Sequence, residues 1–178
     1  HGMRFVVRCG EKQAPLSVGL VGQFNVSNLL AVIAVLMESG FSFEQALETA
    51  SALTPPEGRM QTLGGIGEPM VVVDYAHTPD ALEQVLLALK STAASRQGKL
   101  CCVFGCGGDR DPGKRPLMGE VAARLASRAI ITSDNPRSER PEDIIRQVQE
   151  GAPGAEQISD RARAIRQAVL TSDANDIV

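Results

Sequence analysis

Beyond residue 58 the chain repeats one pattern. Short, unbroken apolar runs such as "MVVV", "LCCVF" and "RAII" alternate with longer stretches of helical periodicity. A strand that is apolar on both sides must be covered on both sides. Strands of that kind, each followed by a helix, predict a mostly parallel sheet with helices on both faces. In such sheets ligands gather beyond the carboxyl ends of the strands. Residues 74–78, 105–115 and 133–137 each follow one of these runs, so all three are expected on a single rim.

The helices carry their own start signals. In "TPDALEQVLLALKSTA", Thr78 is placed to cap, Pro79 occupies the first helical position and Asp80 sits in the first turn. "KRPLMGEVAARLAS", "RPEDIIRQVQEGA" and "DRARAIRQAVLTS" predict three more helices, and "EQIS" a short strand. The final "NDIV" reads as the opening of another strand, too short to stand alone. Residues 1–57 differ. Two strand-like runs around "CGEKQ" predict a hairpin. In "GQFNVSNLLAVIAVLMESG" the residues Val26, Leu29, Leu30, Ile33, Leu36 and Met37 recur at helical spacing, with Asn25 expected to cap and Gly40 to stop the helix. A second helix over 42–52 opens on a serine cap. "TPPEGR" then breaks the chain as a domain boundary does.

Composition closes off several classes. The 178 residues are 43% apolar with a formal net charge of -3, so nothing favours nucleic acid as a general electrostatic partner. No run of eighteen apolar residues is present, and no membrane insertion is expected. The opening "HGMRFVVRCG" lacks a signal-peptide pattern. Cysteines at 9, 101, 102 and 106 have no paired spacing and read as reduced core thiols, not as metal ligands.

Two rim segments carry chemistry. "GCGGDRDPGKRP" at 105–116 has three glycines in four residues, then Asp109, Arg110, Asp111, Lys114 and Arg115. The glycines permit tight turns and close ligand approach, and the following helix offers its first N–H groups to an anion. The spacing is neither a P-loop nor a dinucleotide fingerprint. The alternative is a solvated loop whose charges face water. In "VVVDYAHTPDAL", Asp74 and His77 are three residues apart with no nucleophile evident beside them, which speaks against triad hydrolysis. Carboxylate and imidazole there suit a ribose, a phosphate or a metal-held phosphate. The alternative is a turn capped by Asp74 with His77 packed over it.

With "GQFNVSNLLAVIA", "PEGRM", "VVVDYAHTPDALE", "GCGGDRDPGKRPLM" and "DNPR" in this order, the chain resembles the Mur ligase family over essentially its whole length, in the version that accepts meso-diaminopimelate. "DYAHTP" is shared more loosely with cyanophycin and folylpolyglutamate-type ligases; "DNPR" together with "GGDRD" is more specific. The resemblance implies a Rossmann-like C-terminal domain over 58–178, cut before its end, preceded over 1–57 by the end of the central ATP-binding domain. No GxxxxGK[ST] occurs in the sequence, so the isolated chain is expected to be inactive.

The resemblance also implies roles. Asn28 corresponds to an adenine-contacting asparagine and Arg59 to an arginine that reaches the nucleotide. Asp74 matches an aspartate that holds the ribose, while His77 either touches ATP or orients its own loop. Arg110, Asp134, Asn135 and Arg137 correspond to the meso-diaminopimelate site, with Arg137 gripping the distal carboxylate as a two-pronged fork. The implied reaction is ATP-dependent amide formation through an acyl phosphate in peptidoglycan precursor synthesis. It would join meso-2,6-diaminopimelate to UDP-N-acetylmuramoyl-L-alanyl-D-glutamate in the bacterial cytoplasm, as a monomer. ATP and Mg2+ are the implied cofactors, with metal ligands expected mainly outside this chain and no catalytic base within it. The alternatives are a binding module without catalysis and another amide ligase of the superfamily.

Overall fold

The computed structural model describes residues 2–178, which divide into two compact units, one ending at Gln61 and the other spanning Thr62–Val178. The first holds the hairpin β1 (Met3–Cys9) and β2 (Lys12–Val18), antiparallel with Met3 opposite Val18, then α1 (Phe24–Glu38) and α2 (Phe43–Ser51). Alternate hairpin residues Val7, Leu16 and Val18 meet Leu29 and Ile33 of α1 and Phe43, Ala46, Leu47 and Ala50 of α2 in one core. Ser42 caps α2 in a reciprocal box: its hydroxyl accepts from Gln45 N, and the Gln45 side chain accepts from Ser42 N. The expected Asn25 cap on α1 is not what forms. Gln23 is the cap residue, without a side-chain bond, and Asn25 lies inside the first turn. Its Nδ2 donates back to Val21 O at 2.7 Å, because an amide already inside the turn faces the chain entering the helix.

Starting at the boundary residue, β3 (Gln61–Gly64) pairs with β4 (Met70–Val73), and in the second unit β5 (Cys101–Phe104), β6 (Arg128–Ile131) and β7 (Glu156–Gln157) form a parallel sheet in that order. The final residues join the two pieces. Ile177 bridges Met70 of β4 and Leu100 beside β5, parallel to both. Met70 N donates to Asp176 O, Val72 N to Val178 O, and Cys101 N to Ile177 O. The "NDIV" run is thus bridged on both sides, to β4 and to the residue that precedes β5. Arg96 secures it by donating to Gly65 O, Ala174 O and Asn175 O.

The helices are α3 (Pro79–Ser95), α4 (Lys114–Leu125), α5 (Pro141–Gly151) and α6 (Arg161–Leu170). Cys101 and Ile130 face Ala164 and Ala168 of α6. Alternation turns Cys102, Phe104 and Ile131 to the opposite face, where α4 and α5 pack on β6 and α3 packs on α4. Helices therefore cover both faces, as the apolar strands require. Thr78 caps α3 through its hydroxyl, with Pro79 opening the helix.

Ile177 is fully buried between two strands that do not pair with each other. Ile177→Ala is expected to lower unfolding stability by about 2–4 kcal/mol, measured by urea denaturation. A loss below about 0.5 kcal/mol would show that the terminal strand is not needed.

Candidate ligand-binding rim

Three loops leave the carboxyl ends of β4, β5 and β6, and hydrogen bonds fasten them together. Gly108 N donates to Asn135 O at 2.9 Å, and Lys114 Nζ donates to His77 O at 2.9 Å. The glycines of "GCGG" make this closeness possible. A Cβ on Gly108 would overlap Pro136 O, and one on Gly107 would stand 2.9 Å from Arg137 Nη1. The close approach expected of a ligand at these glycines is thus made by the neighbouring loop.

Arg137 adopts φ +50, a left-handed conformation uncommon outside glycine. Its Nη1 donates to Gly108 O at 2.6 Å, and its backbone N–H donates to Asn135 Oδ1 at 3.3 Å. Three of the five guanidinium N–H groups, on the Nε–Nη2 edge, remain as a planar two-pronged face. Asp134 is exposed, with Oδ1 accepting from Asn135 N at 2.8 Å, which leaves Oδ2 for an incoming donor. Asn135 is exposed too, and its amide oxygen is already used on Arg137 N. Arg110, one residue past the left-handed Asp109, is exposed.

On the β4 loop, Asp74 Oδ1 accepts from Ala76 N at 2.9 Å. His77 Nδ1 lies 3.0 Å from Tyr75 O, and the two rings meet edge-on at 5.3 Å. A carbonyl oxygen only accepts, so Nδ1 carries the proton. Nε2 is then a free acceptor while the ring is neutral. These two bonds shape the loop. Asn28 and Arg59 belong to the other unit. Asn28 is exposed on α1 and donates to Asn25 Oδ1 at 3.0 Å, leaving its own oxygen available. Arg59 follows the turn closed by its N–H to Pro56 O.

Sequence reasoning did not single out Glu139, and it treated Arg115 only as one loop charge among several. The Arg115 side chain is 1% exposed and its Nη atoms grip both oxygens of Glu139 at 2.7 and 2.8 Å. It also donates to Gln147 Oε1 at 2.7 Å and to Gly107 O at 3.3 Å. Glu139 Oε1 takes Asp109 N as well, at 2.7 Å. Hydrogen bonds from Arg115, then that from Asp109 N, hold the Glu139 carboxyl at about 2 instead of 4.5. Arg115 is raised in turn, chiefly by Glu139. Burial pushes Cys102 up to about 12 and raises Cys101 and Cys106, so these thiols stay protonated. Among the described residues, no group of three His, Cys, Asp or Glu side chains could hold a metal ion, and no helix is long and apolar enough to cross a membrane.

The family model described as Mur ligase, glutamate ligase domain, matches residues 58–178, the stretch that builds the parallel sheet and its rim. The chain belongs to the Mur ligase family. A folylpolyglutamate synthase from Thermotoga maritima shares the fold, with a TM-score of 0.74 at 22% identity over 100% of this chain and 40% of that one. Several relatives of much higher identity share the name UDP-N-acetylmuramoyl-L-alanyl-D-glutamate--2,6-diaminopimelate ligase. The protein of that name from Acidovorax sp. is 51% identical over 99% of this chain and 36% of its own length; that from Pseudomonas putida is 47% identical over 99% and 36%. A solved structure with the same name is 41% identical, with a TM-score of 0.69 over 98% of this chain and 36% of that one. The chain thus spans about a third of the length of these relatives.

A carboxylate with a depressed pKa contributes stability that is whole above its unfolded value, 4.5 here, and fades as pH falls toward 2. The melting temperature of the chain should therefore exceed that of Glu139→Gln by a constant margin above about pH 5.5, and the margin should shrink between 4.5 and 2. Thermal melts across that range check the direction; a margin that widens on acidification contradicts the pairing.

Proposed function

We propose that this chain forms the amino-acid-accepting part of an ATP-dependent ligase that joins meso-2,6-diaminopimelate to UDP-N-acetylmuramoyl-L-alanyl-D-glutamate in the bacterial cytoplasm. The observation that carries the reading is the Arg137 guanidinium, held at Nη1 by Gly108 O with its other edge unoccupied. The names of the relatives point the same way. On this reading residues 1–57 are the end of an ATP-binding domain and 58–178 belong to the domain that carries the incoming amino acid.

Meso-diaminopimelate has two amino-acid ends. One amine reacts; the other end brings an ammonium and a carboxylate. The Nε–Nη2 edge of Arg137 pairs with that carboxylate in two parallel bonds. Asp134 Oδ2 accepts from the ammonium. Asn135, whose oxygen is engaged by Arg137 N, contributes its Nδ2 as a donor, and Arg110 adds a second cation toward a substrate carboxylate. Asn28, Arg59, Asp74 and His77 serve the nucleotide: an amide for the base, a guanidinium for phosphate, a carboxylate for ribose, and an imidazole Nε2 that accepts. ATP turns the carboxylate of the first substrate into an acyl phosphate, and the free amine displaces phosphate from it. This chain's share is to hold the amine end still at the acyl carbon. Magnesium, held mainly by residues outside this chain, is assigned to no residue here.

A lysine substrate has the ammonium without the carboxylate. It leaves the Arg137 guanidinium edge without its carboxylate partner, and that lost pairing sets the preference. In the ligase that carries this sequence, Arg137→Ala should weaken transition-state binding by about 2–4 kcal/mol, roughly thirty- to a thousand-fold in kcat/KM for diaminopimelate. The loss should appear mostly as a raised KM for diaminopimelate, with the KM for ATP unmoved. Arg137→Lys should recover only part, since an ammonium is no planar fork. Steady-state kinetics with diaminopimelate, lysine and glutamate decide the matter. An equal loss for every amino acid, with a lowered melt, would make Arg137 a loop tie and end the assignment; turnover on glutamate in place of diaminopimelate would move the protein to the folylpolyglutamate type.

A further inference from the structure

We propose that Arg115 and Glu139 are positioning residues of this amino-acid site: without touching substrate, they set the separation and aim of the Arg110 and Arg137 guanidiniums. The proposal rests on the ligase reading for its kinetic part and on geometry alone for the rest.

Two short cross-ties join the β5 loop to the β6 loop. In the outer one, Asp109 accepts from Ser138 Oγ at 2.6 Å and from Ser138 N at 3.2 Å. In the inner one, Glu139 accepts from Asp109 N and, through both oxygens, from Arg115. Arg110 is the residue after Asp109, and Arg137 is the residue before Ser138. Each ligand-facing cation is therefore one residue from a tied position. Asp109 and Arg137 both take left-handed backbone, φ +51 and +50. Side chains other than glycine stay there only when their surroundings hold them, and the two ties do the holding.

The pair is poorly built for stability as such. The Arg115 side chain is 1% exposed, yet its Nε has no hydrogen-bond partner. Desolvating a cation and orphaning one donor costs free energy that an apolar residue of the same length would not spend. What an apolar side chain cannot do is fix Glu139 at one place, where the same oxygen takes the Asp109 N–H. Arg115 starts from the first turn of α4 and reaches Gln147 on α5, so both loops are referred to a packed helix pair.

The experiment uses the ligase that carries this chain, comparing the unaltered protein with Glu139→Gln and with the double variant Arg115→Met/Glu139→Leu. The double variant removes charge from both partners, so its melting temperature should stay near the parent's. Its KM for diaminopimelate should nevertheless rise ~10- to 100-fold, with the KM for ATP within about twofold. If the double variant does not fold, Glu139→Gln decides: it keeps one acceptor oxygen, so its KM for diaminopimelate should rise ~3- to 10-fold. A second readout needs no turnover. Amide hydrogen exchange at Asp109 and Ser138 should quicken at least ~10-fold in either variant, while the amides of β5 and β6 hold their rates. An unchanged KM for diaminopimelate, or unchanged exchange at these two amides, overturns the proposal. Should the unaltered protein not use diaminopimelate at all, the ligase reading fails, and the exchange rates alone still decide whether the pair fixes the loops.

Discussion

The second unit hangs on three residues that arrive last. β4 and β5 have no hydrogen bond between them; each bonds to the segment 176–178 lying in between. Every carboxyl-end loop inherits its place from that insertion. The loop carrying Asp74 and His77 follows β4, while the loops carrying Arg110 and Arg137 follow β5 and β6. Main-chain bonds on both edges of one short strand therefore register one half of the rim against the other. Asp176 reinforces the arrangement by accepting from Lys99 N and Asp173 N with its two carboxylate oxygens. Gly98 is required beside it, because a Cβ there would overlap Asn175 O.

Above the strands, two different energetic economies meet. The sheet is dry, aliphatic and covered on both faces, and its stability scales with the apolar surface it hides. The rim keeps a cation inside. Arg115 gives up hydration for four hydrogen bonds, three of them to groups on the loops it organises. The result is a surface whose polar groups are already arranged before any ligand arrives. That arrangement matters more for a small zwitterion than for a large partner, since a small ligand has few contacts with which to reorganise its host.

Much of this was legible because the signals were local. Unbroken apolar runs foretold β5 and β6, and Ser42 and Thr78 announced the helices they cap. The shared rim followed from chain direction alone. What escaped depended on partners distant in sequence. Arg115 and Glu139 are separated by 24 positions, and nothing in "GKRP" or "RSER" says that one charge is inside and the other faces it. Asn25 was misplaced by two positions, within the usual imprecision of helix ends. The neighbours of "NDIV", Met70 and Leu100, come much earlier in the chain, so its place between them was not visible. Roles for Asn28, Arg59 and His77 came from family resemblance, as their residue types alone leave several chemistries open.

The distribution of thiols has a practical side. Cys101, Cys102 and Cys106 are buried in the sheet and its first loop turn, and burial holds them in the unreactive protonated form. Cys9 is exposed, at the end of β1, in the other unit. A thiol-directed dye or spin label would enter the native protein at one place and leave the second unit untouched. The chain thus carries, unmodified, an addressable spectroscopic handle on the smaller of its two units.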